Sequence, residues 1–213
     1  RENVLKGLAA PAVVGQLGGD LRAAAQRVHD RRDSWHLRLG PLQEAAVAPE
    51  HLRGGMIEKI QNQSRPGGRI VLKANSLADP PVIEALYAAS QAGCEIDLII
   101  RGICCLRPGV HGLSERIRVH SILGRYLEHS RIFRFGSPTD DAEYWLGSAD
   151  LMPRNLDMRV ETVVPIRDAT LQGRIDRILS SYLQEDIRRW ALSPDGSWKL
   201  SGGRQDVQDL LSD

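Results

Sequence analysis

The sequence predicts an α/β domain with a mixed β-sheet flanked by helices. Two short, mostly apolar segments, 69–74 (RIVLKA) and 95–101 (EIDLIIR), stand on either side of a helical segment at 79–91. This strand–helix–strand order predicts a pair of parallel strands joined by a crossover helix. Further strand and helix segments follow along the chain, so we expect one sheet covered by helices.

Each element has its own local signal. Residues 49–63 are predicted to be helical, because Met56, Ile57 and Ile60 form one apolar stripe. Asp79-Pro80-Pro81 begins the crossover helix, with proline near its first turn, and Ala92-Gly93 ends it. Apolar patterns predict further strands at 117–123, 130–135, 143–146 and 160–166, and a last helix at 168–184.

Composition divides the chain into three parts. Residues 1–46 are rich in Ala, Gly and Arg without an apolar period, which predicts a divergent, poorly ordered segment. Residues 47–190 carry the domain, and 191–213 form a polar C-terminal tail with a turn at Pro194-Asp195-Gly196. We hypothesise that 1–46 are translated out of frame; the alternative is a genuine extension that docks on the domain.

Charge and cysteine usage limit the functional classes. The 213 residues include 28 Lys and Arg against 27 Asp and Glu, so the formal charge of +1 gives no global attraction to nucleic acid or an anionic membrane. We expect no nucleic-acid partner, and a local basic cleft stays open. Three cysteines, two of them adjacent, without zinc-ligand spacing, indicate a reducing setting. No signal peptide or apolar run of membrane-spanning length is found. We expect a cytoplasmic protein without an integral membrane segment, and leave open peripheral attachment to the inner membrane.

The densest polar cluster is Glu128-His129-Ser130-Arg131. Side chains alternate between faces in an extended chain, so His129 and Arg131 are predicted to point the same way. An imidazole beside a permanent cation suits a phosphoryl group, because the guanidinium neutralises oxygens and the imidazole donates a hydrogen bond or a proton. The alternative is a surface histidine in a polar strand.

A second polar cluster follows Gly147. Alternation in an extended chain would put Ser148 and Asp150 on one face. It would also separate two sets of side chains, a polar set of Asn155, Asp157, Arg159 and Glu161 and a core set of Leu156, Met158 and Val160. A face that mixes amide, acid and cation favours a binding site; the alternative is a strand with one solvated face.

Arg101 is the third candidate. It ends the second predicted strand, and ligands gather outside the carboxyl ends of parallel strands. Lys73 and Asn75, at the end of the first predicted strand, share this argument more weakly. The alternative for Arg101 is a strand-end arginine that contacts only solvent.

Five longer strings carry a family resemblance. They are LKANSLAD at 72–79, IEALYAAS at 83–90, IRGIC at 100–104, SILGRYLEHSR at 121–131 and GSAD at 147–150. In order and spacing they resemble type 1 polyphosphate kinase, in the second, C-terminal, of its two phospholipase D-like domains. The order His-x-Arg, then Gly-Ser-x-Asp is similar to the phospholipase D motif, which has Lys and Asn in place of Arg131 and Asp150.

The resemblance implies a phosphotransferase that moves the terminal phosphate of ATP to polyphosphate, reversibly and with Mg²⁺. By resemblance, His129 is catalytic and binds phosphate together with Arg101; Arg159 matches another phosphate-facing arginine, and Arg131 is a further candidate. The phosphorylated histidine and the arginines associated with Mg²⁺ belong to family regions without a counterpart here. We therefore expect half of an active site, completed by the missing catalytic half or by a homo-oligomer partner.

Two other functions stay open at this point. One is a stand-alone phosphodiesterase or nuclease of the phospholipase D type, pairing two His129 motifs in a dimer. The other is a non-catalytic remnant that binds phosphate. Arg131 and Asp150, where the phospholipase D motif has Lys and Asn, favour the kinase.

Overall fold

The computed structural model describes residues 46–47, 51–139 and 142–211. Within them, nine strands form one mixed sheet in the order β1-β7-β6-β5-β2-β3-β4-β8-β9. The predictions for 1–46 lie outside the described residues, except that Ala46 begins the first strand. The strands are β1 Ala46–Val47, β2 Arg69–Ala74, β3 Glu95–Ile100, β4 Ile117–Ser121, β5 Arg131–Phe135, β6 Glu143–Gly147, β7 Thr162–Ile166, β8 Arg189–Leu192 and β9 Trp198–Ser201.

Strand direction brings distant parts of the chain to one edge of the sheet. The pairs β2–β3 and β3–β4 are parallel, and every other pair is antiparallel. The carboxyl ends of β2, β3, β4 and β6 therefore meet the amino ends of β5, β7 and β8. We call this the polar edge of the sheet.

Helices cover both faces. The described helices are α1 Leu52–Asn62, α2 Pro80–Gln91, α3 Pro153–Asp157, α4 Ala169–Leu183 and α5 Val207–Leu210. Ile70 and Leu72 of β2 share one core with α1 and α2. Val71, between them, shares the opposite core with α4 and α5, as alternation along a strand requires. The predicted mixed sheet flanked by helices is confirmed.

The crossover helix α2 follows its predicted signals. The side chain of Asp79 accepts a hydrogen bond from Val82 N at 3.3 Å, so it caps the helix. Pro80 and Pro81 occupy the first turn. After the C-cap Ala92, Gly93 has a φ of 99°, which glycine adopts without steric cost.

Two stretches differ from prediction. The described part of the predicted tail, 191–211, is not merely a tail, because β8 and β9 form a hairpin that extends the sheet beyond β4, and α5 follows. The predicted turn is present, with Gly196 N donating to Ser193 O. Residues 153–157 form α3 instead of a strand, since Pro153 suits a first helical turn, and Met158 and Val160 are exposed.

No helix in the described ranges is long and apolar enough to cross a membrane.

Candidate phosphate-binding site

The polar edge collects the polar side chains that the sequence singled out. Lys73 and Asn75 lie at the end of β2, and Arg101 directly follows β3. His129 lies in the loop that ends where β5 begins at Arg131. Asp150 follows β6, which ends at Gly147. The sheet order therefore brings the His-x-Arg and Gly-Ser-x-Asp motifs together.

Arg101 and His129 each present a buried nitrogen without a partner. Arg101 Nη1 and His129 Nδ1 form no hydrogen bond within the described ranges, and neither does Asn75 Oδ1. Buried polar atoms are nearly always paired, because an unpaired one loses its hydration without compensation. Arg69, His120, Arg134 and Arg189 also have an unpartnered buried nitrogen, but Arg101 and His129 lie near enough for the arginine to lower the pKa of the histidine, so one anion can serve both. A guanidinium and an imidazole both suit an anionic oxygen.

Arg131 differs from its prediction as a free phosphate-binding cation. Its Nη2 donates to Asp150 Oδ2 at 2.9 Å and its Nε to Asp150 Oδ1 at 3.3 Å, a bidentate ion pair with little exposure. Its Nη1 donates to the carbonyl oxygen of His129 at 2.9 Å. All three nitrogens are thus engaged, and Arg131 is placed to hold the backbone of His129.

Asp150 is the acceptor around which this part of the edge is arranged. Besides Arg131, it accepts hydrogen bonds from Asn75 N at 2.7 Å, Asn75 Nδ2 at 3.1 Å and Ser76 N at 3.3 Å. Burial alone would raise the pKa of Asp150, but hydrogen bonds from Arg131 and Asn75 outweigh it and lower that pKa. The residue is therefore a carboxylate at neutral pH.

Lys73 is a second cation that is not free. Its side chain is only 2% exposed and pairs with Glu128 Oε2 at 3.1 Å. Its Nζ also donates to Ser130 Oγ at 2.8 Å. Tyr182 Oη and Gln208 Nε2 donate to the two oxygens of Glu128, at 2.6 Å and 2.7 Å. Burial lowers the pKa of Lys73 although Glu128 opposes the shift, as expected where water is excluded.

His129 is held in an electropositive setting. Burial lowers its pKa, and Arg131 and Arg101 lower it further, although Asp150 opposes them. The imidazole is therefore neutral near pH 7 in the free chain. A bound phosphate would reverse the effect of the arginines, because an anion stabilises the imidazolium.

The second cluster divides into a buried part and an exposed part. Glu161 accepts hydrogen bonds from Ser148 Oγ and from Asn155 Nδ2, the latter at 2.8 Å. These contacts tie α3 to the end of β6. Arg159 is exposed in the loop before β7 and forms no hydrogen bond or ion pair with the described residues. The predicted polar face is therefore not one surface.

Two grooves on the described surface lie elsewhere. One of about 790 Å³ is lined by residues near β6 and α4, including Tyr144 and Gln172; one of about 420 Å³ lies beside α1. Neither shares a lining residue with the cluster around Arg101 and His129. We assign the site by its unpartnered polar atoms at the polar edge, because neither groove is lined by Arg101 or His129.

The described residues do not fit a set of metal ligands. No group of three or more His, Cys, Asp or Glu side chains is placed to hold an ion within the ranges that the structure covers. Glu128, Asp150 and Glu161 are each satisfied by neighbouring donors. Carboxylates held in this way are poor candidates for Mg²⁺, which needs oxygen ligands in near-octahedral geometry.

The described residues therefore form a mixed α/β domain in which paired and unpaired cations gather at one edge of the sheet. A family model described as polyphosphate kinase C-terminal domain 2 matches residues 45–209. The chain belongs to the polyphosphate kinase family, as the resemblance predicted.

Individual relatives agree with this assignment. Polyphosphate kinase 1 of Chlorobaculum tepidum is 51% identical over 162 residues, covering 72% of this chain and 23% of its own length. Polyphosphate kinase of Streptomyces coelicolor is 43% identical over 202 residues, covering 92% and 26%. The crystal structure of polyphosphate kinase from Porphyromonas gingivalis superposes with a TM-score of 0.75 at 31% identity, covering 91% of this chain and 30% of that one.

These coverages have two consequences. The chain spans about a quarter of the length of the curated relatives it matches. The Streptomyces alignment leaves only about 8% of this chain uncovered, so it includes part of residues 1–46. The family model itself begins at residue 45, and the out-of-frame origin of residues 1–46 stays a prediction.

Sequence reasoning missed the residues behind the site. Tyr182 lies within the helix predicted at 168–184, and Gln208 within the predicted polar tail. Glu128 was noted within a cluster but given no partner. No local signal identifies these residues, because the lysine, glutamate, tyrosine and glutamine of this network come from four separate elements.

Proposed function

We propose that this chain is the nucleotide-phosphate-binding part of a polyphosphate kinase, which catalyses ATP + polyphosphate(n) = ADP + polyphosphate(n+1). Membership of the family supports the reaction class. The partners proposed are ATP or ADP, polyphosphate, and either the remaining catalytic part of such an enzyme or a second copy. We propose a cytoplasmic location, consistent with three unpaired cysteines.

One observation carries the assignment of the site to this chain. Arg101 Nη1 and His129 Nδ1 are buried and unpartnered, whereas the neighbouring cations Lys73 and Arg131 are neutralised by Glu128 and Asp150. The charges available to a ligand at the polar edge are therefore those of Arg101 and, once protonated, His129. Arg159, exposed and unpaired within the described chain, stays a candidate for a more distant phosphate.

The chemistry follows from the two groups. The guanidinium of Arg101 would neutralise phosphate oxygens, and the imidazole of His129 would donate a hydrogen bond or supply a proton to the leaving oxygen. Phosphoryl transfer depends mainly on positioning and charge stabilisation, which is what the two groups offer. Mg²⁺ is proposed from family resemblance alone, and no step here depends on it.

The alternative of a stand-alone phosphodiesterase has less support. A phospholipase D-type site would use the cation of its His-x-Lys motif on the substrate. Here Arg131 occupies that position, and three of its nitrogens are engaged by Asp150 and the His129 backbone. Asp150 has a carboxylate where the phospholipase D motif has an amide. Because this carboxylate pairs with Arg131, the arginine is not available to a substrate.

The test is the affinity of the 213-residue chain for ADP. Arg101→Ala should weaken binding about ten- to a hundredfold, since a hydrogen bond to a charged group contributes roughly 1.5–3 kcal/mol. Isothermal titration calorimetry measures the change, and circular dichroism checks the fold. Arg204→Ala, at an exposed position, is the matched control and should bind as the parent does. Unchanged affinity in Arg101→Ala would sink the assignment.

A further inference from the structure

The C-terminal helix α5 contacts the loop that carries His129. The side chain of Gln208, 6% exposed, accepts a hydrogen bond from Tyr126 N at 2.6 Å and donates to Tyr126 O at 2.7 Å. It also donates to Glu128 Oε1 at 2.7 Å. One amide group thus satisfies both polar groups of a loop residue's backbone, as a neighbouring strand would.

Gly124 makes this approach possible. A Cβ at position 124 would lie 2.6 Å from Gln208 Oε1 and 2.8 Å from its Cδ, closer than real Cβ contacts come. The atoms that it would meet are the far end of a flexible side chain. An alanine at 124 would therefore displace the Gln208 amide.

Gln208 is itself firmly placed. Val207 is buried in the core beneath α4, and Leu210 and Leu211 pack against that core. Asp206 caps α5 by accepting a hydrogen bond from Gln208 N at 2.9 Å. The amide group is thus fixed from the α4 side of the sheet.

The loop has few other means of staying ordered. Leu123, Tyr126 and Leu127 are each more than half exposed, so little apolar burial stabilises residues 123–127. Segments with few buried contacts open at low free-energy cost, and a small number of hydrogen bonds then decides their conformation. Glu128 links Gln208 to β2 and α4, since its other oxygen, Oε2, contacts Lys73 and Tyr182.

We propose that Gln208 is a positioning residue that holds the 123–129 loop so that His129 faces the phosphate. The expected change in phosphate affinity rests on the proposed function, whereas the expected change in the order of the loop does not. Gln208 acts through the loop and does not touch the ligand. The C-terminal segment is in this way part of the site's construction.

The structural readout is amide hydrogen exchange of Tyr126 in the 213-residue chain. In Gln208→Ala the Tyr126 amide should lose about tenfold or more of its protection, while amides of β2 and β3 keep theirs. The His129 pKa, followed by NMR, should rise toward its ordinary value as the loop loosens and the ring is hydrated. The charged groups that bear on that ring are Arg131, Arg101, Asp150 and Lys73, and the variant leaves all four in place.

The affinity readout is the binding of ADP or tripolyphosphate by calorimetry. Gln208→Ala should weaken binding about three- to tenfold, as expected for a few net hydrogen bonds. Gly124→Ala should have the same effects, although it leaves the amide itself present. Gln205→Ala, exposed on the same segment, and Gly173→Ala, which meets nothing within 4 Å, are the matched controls.

The outcomes separate the two proposals. Lost Tyr126 protection with weaker binding in both variants, and neither effect in the controls, supports positioning. Lost protection with unchanged affinity, while Arg101→Ala binds weakly, overturns it. If neither the parent nor Arg101→Ala binds phosphate compounds, the proposed function fails, and positioning is then judged by the His129 pKa. Unchanged exchange and pKa in both variants would also overturn it.

Discussion

Asp150 illustrates, at the scale of a single residue, how one carboxylate decides the charge of its neighbourhood. It neutralises Arg131 and aligns the peptide of Asn75, so Arg101 is left as the neighbouring guanidinium with an unpartnered nitrogen. Because its pKa is lower in the folded chain, the stabilisation from Asp150 is complete above the unfolded value of about 3.9. That stabilisation is lost as the pH falls through the folded value.

Replacing this residue tests the argument. Asp150→Ala should lower the free energy of unfolding by about 3 kcal/mol at pH 7, because it leaves a buried arginine unpaired. The deficit relative to the parent should shrink in acid below about pH 4. Urea denaturation at both pH values measures it. Glu84→Ala, an exposed carboxylate on α2, is the control; an equal loss there would refute the specific role of the pair.

At the scale of elements, Arg53 connects three helices. From α1 it donates through Nε and Nη2 to Asp79, the buried cap of α2, at 3.1 and 2.9 Å. Through Nη2 it also donates to Asp157, the last residue of α3, at 2.7 Å. Since Asp79 is fully buried, removing its partner leaves a charge without solvent or a counter-ion.

Arg53→Ala should therefore lower the free energy of unfolding by about 2 kcal/mol, less than for a fully buried pair because Arg53 is partly exposed. Arg53→Lys should fall in between, since an ammonium cannot bridge two carboxylates in the same geometry. Thermal or urea unfolding supplies the measurement. Arg177→Ala, exposed on α4, is expected to change stability little, and a similar loss there would count against the three-helix role.

At the scale of the whole molecule, the chain spans about a quarter of its relatives' length, and Arg101 and His129 lie together at one edge of its sheet. Phosphoryl transfer needs several positioned cationic groups to stabilise the charge on the transferring phosphoryl group. Arg101 and His129 alone are too few for this. We therefore expect no elongation of polyphosphate when the purified 213-residue chain is incubated with ATP and a short polyphosphate primer. Gel electrophoresis of the polymer is the measurement, and ADP binding by the same sample is the control. Elongation that disappears in Arg101→Ala would prove this expectation wrong.

Local sequence determined the elements whose apolar side chains follow a strand or helix period. β2 occupies the predicted residues 69–74, and α2 begins directly after its predicted cap at Asp79. The position of Arg101 at the end of a parallel strand was likewise determined, because strand direction follows from the crossover helix. The strands β8 and β9 are absent from the prediction, since their half-buried and exposed side chains carry no clear alternation.

Tertiary structure alone decided which cations are free. Arg131 pairs with Asp150, 19 residues away, and Gln208 reaches Glu128 across 80 residues. The order of strands in the sheet sets these distances, and that order depends on how all elements bury their apolar faces together. Spacing along the chain placed His129 and Arg131 side by side, but it could not show that one has an unpartnered nitrogen while the other is held by a carboxylate.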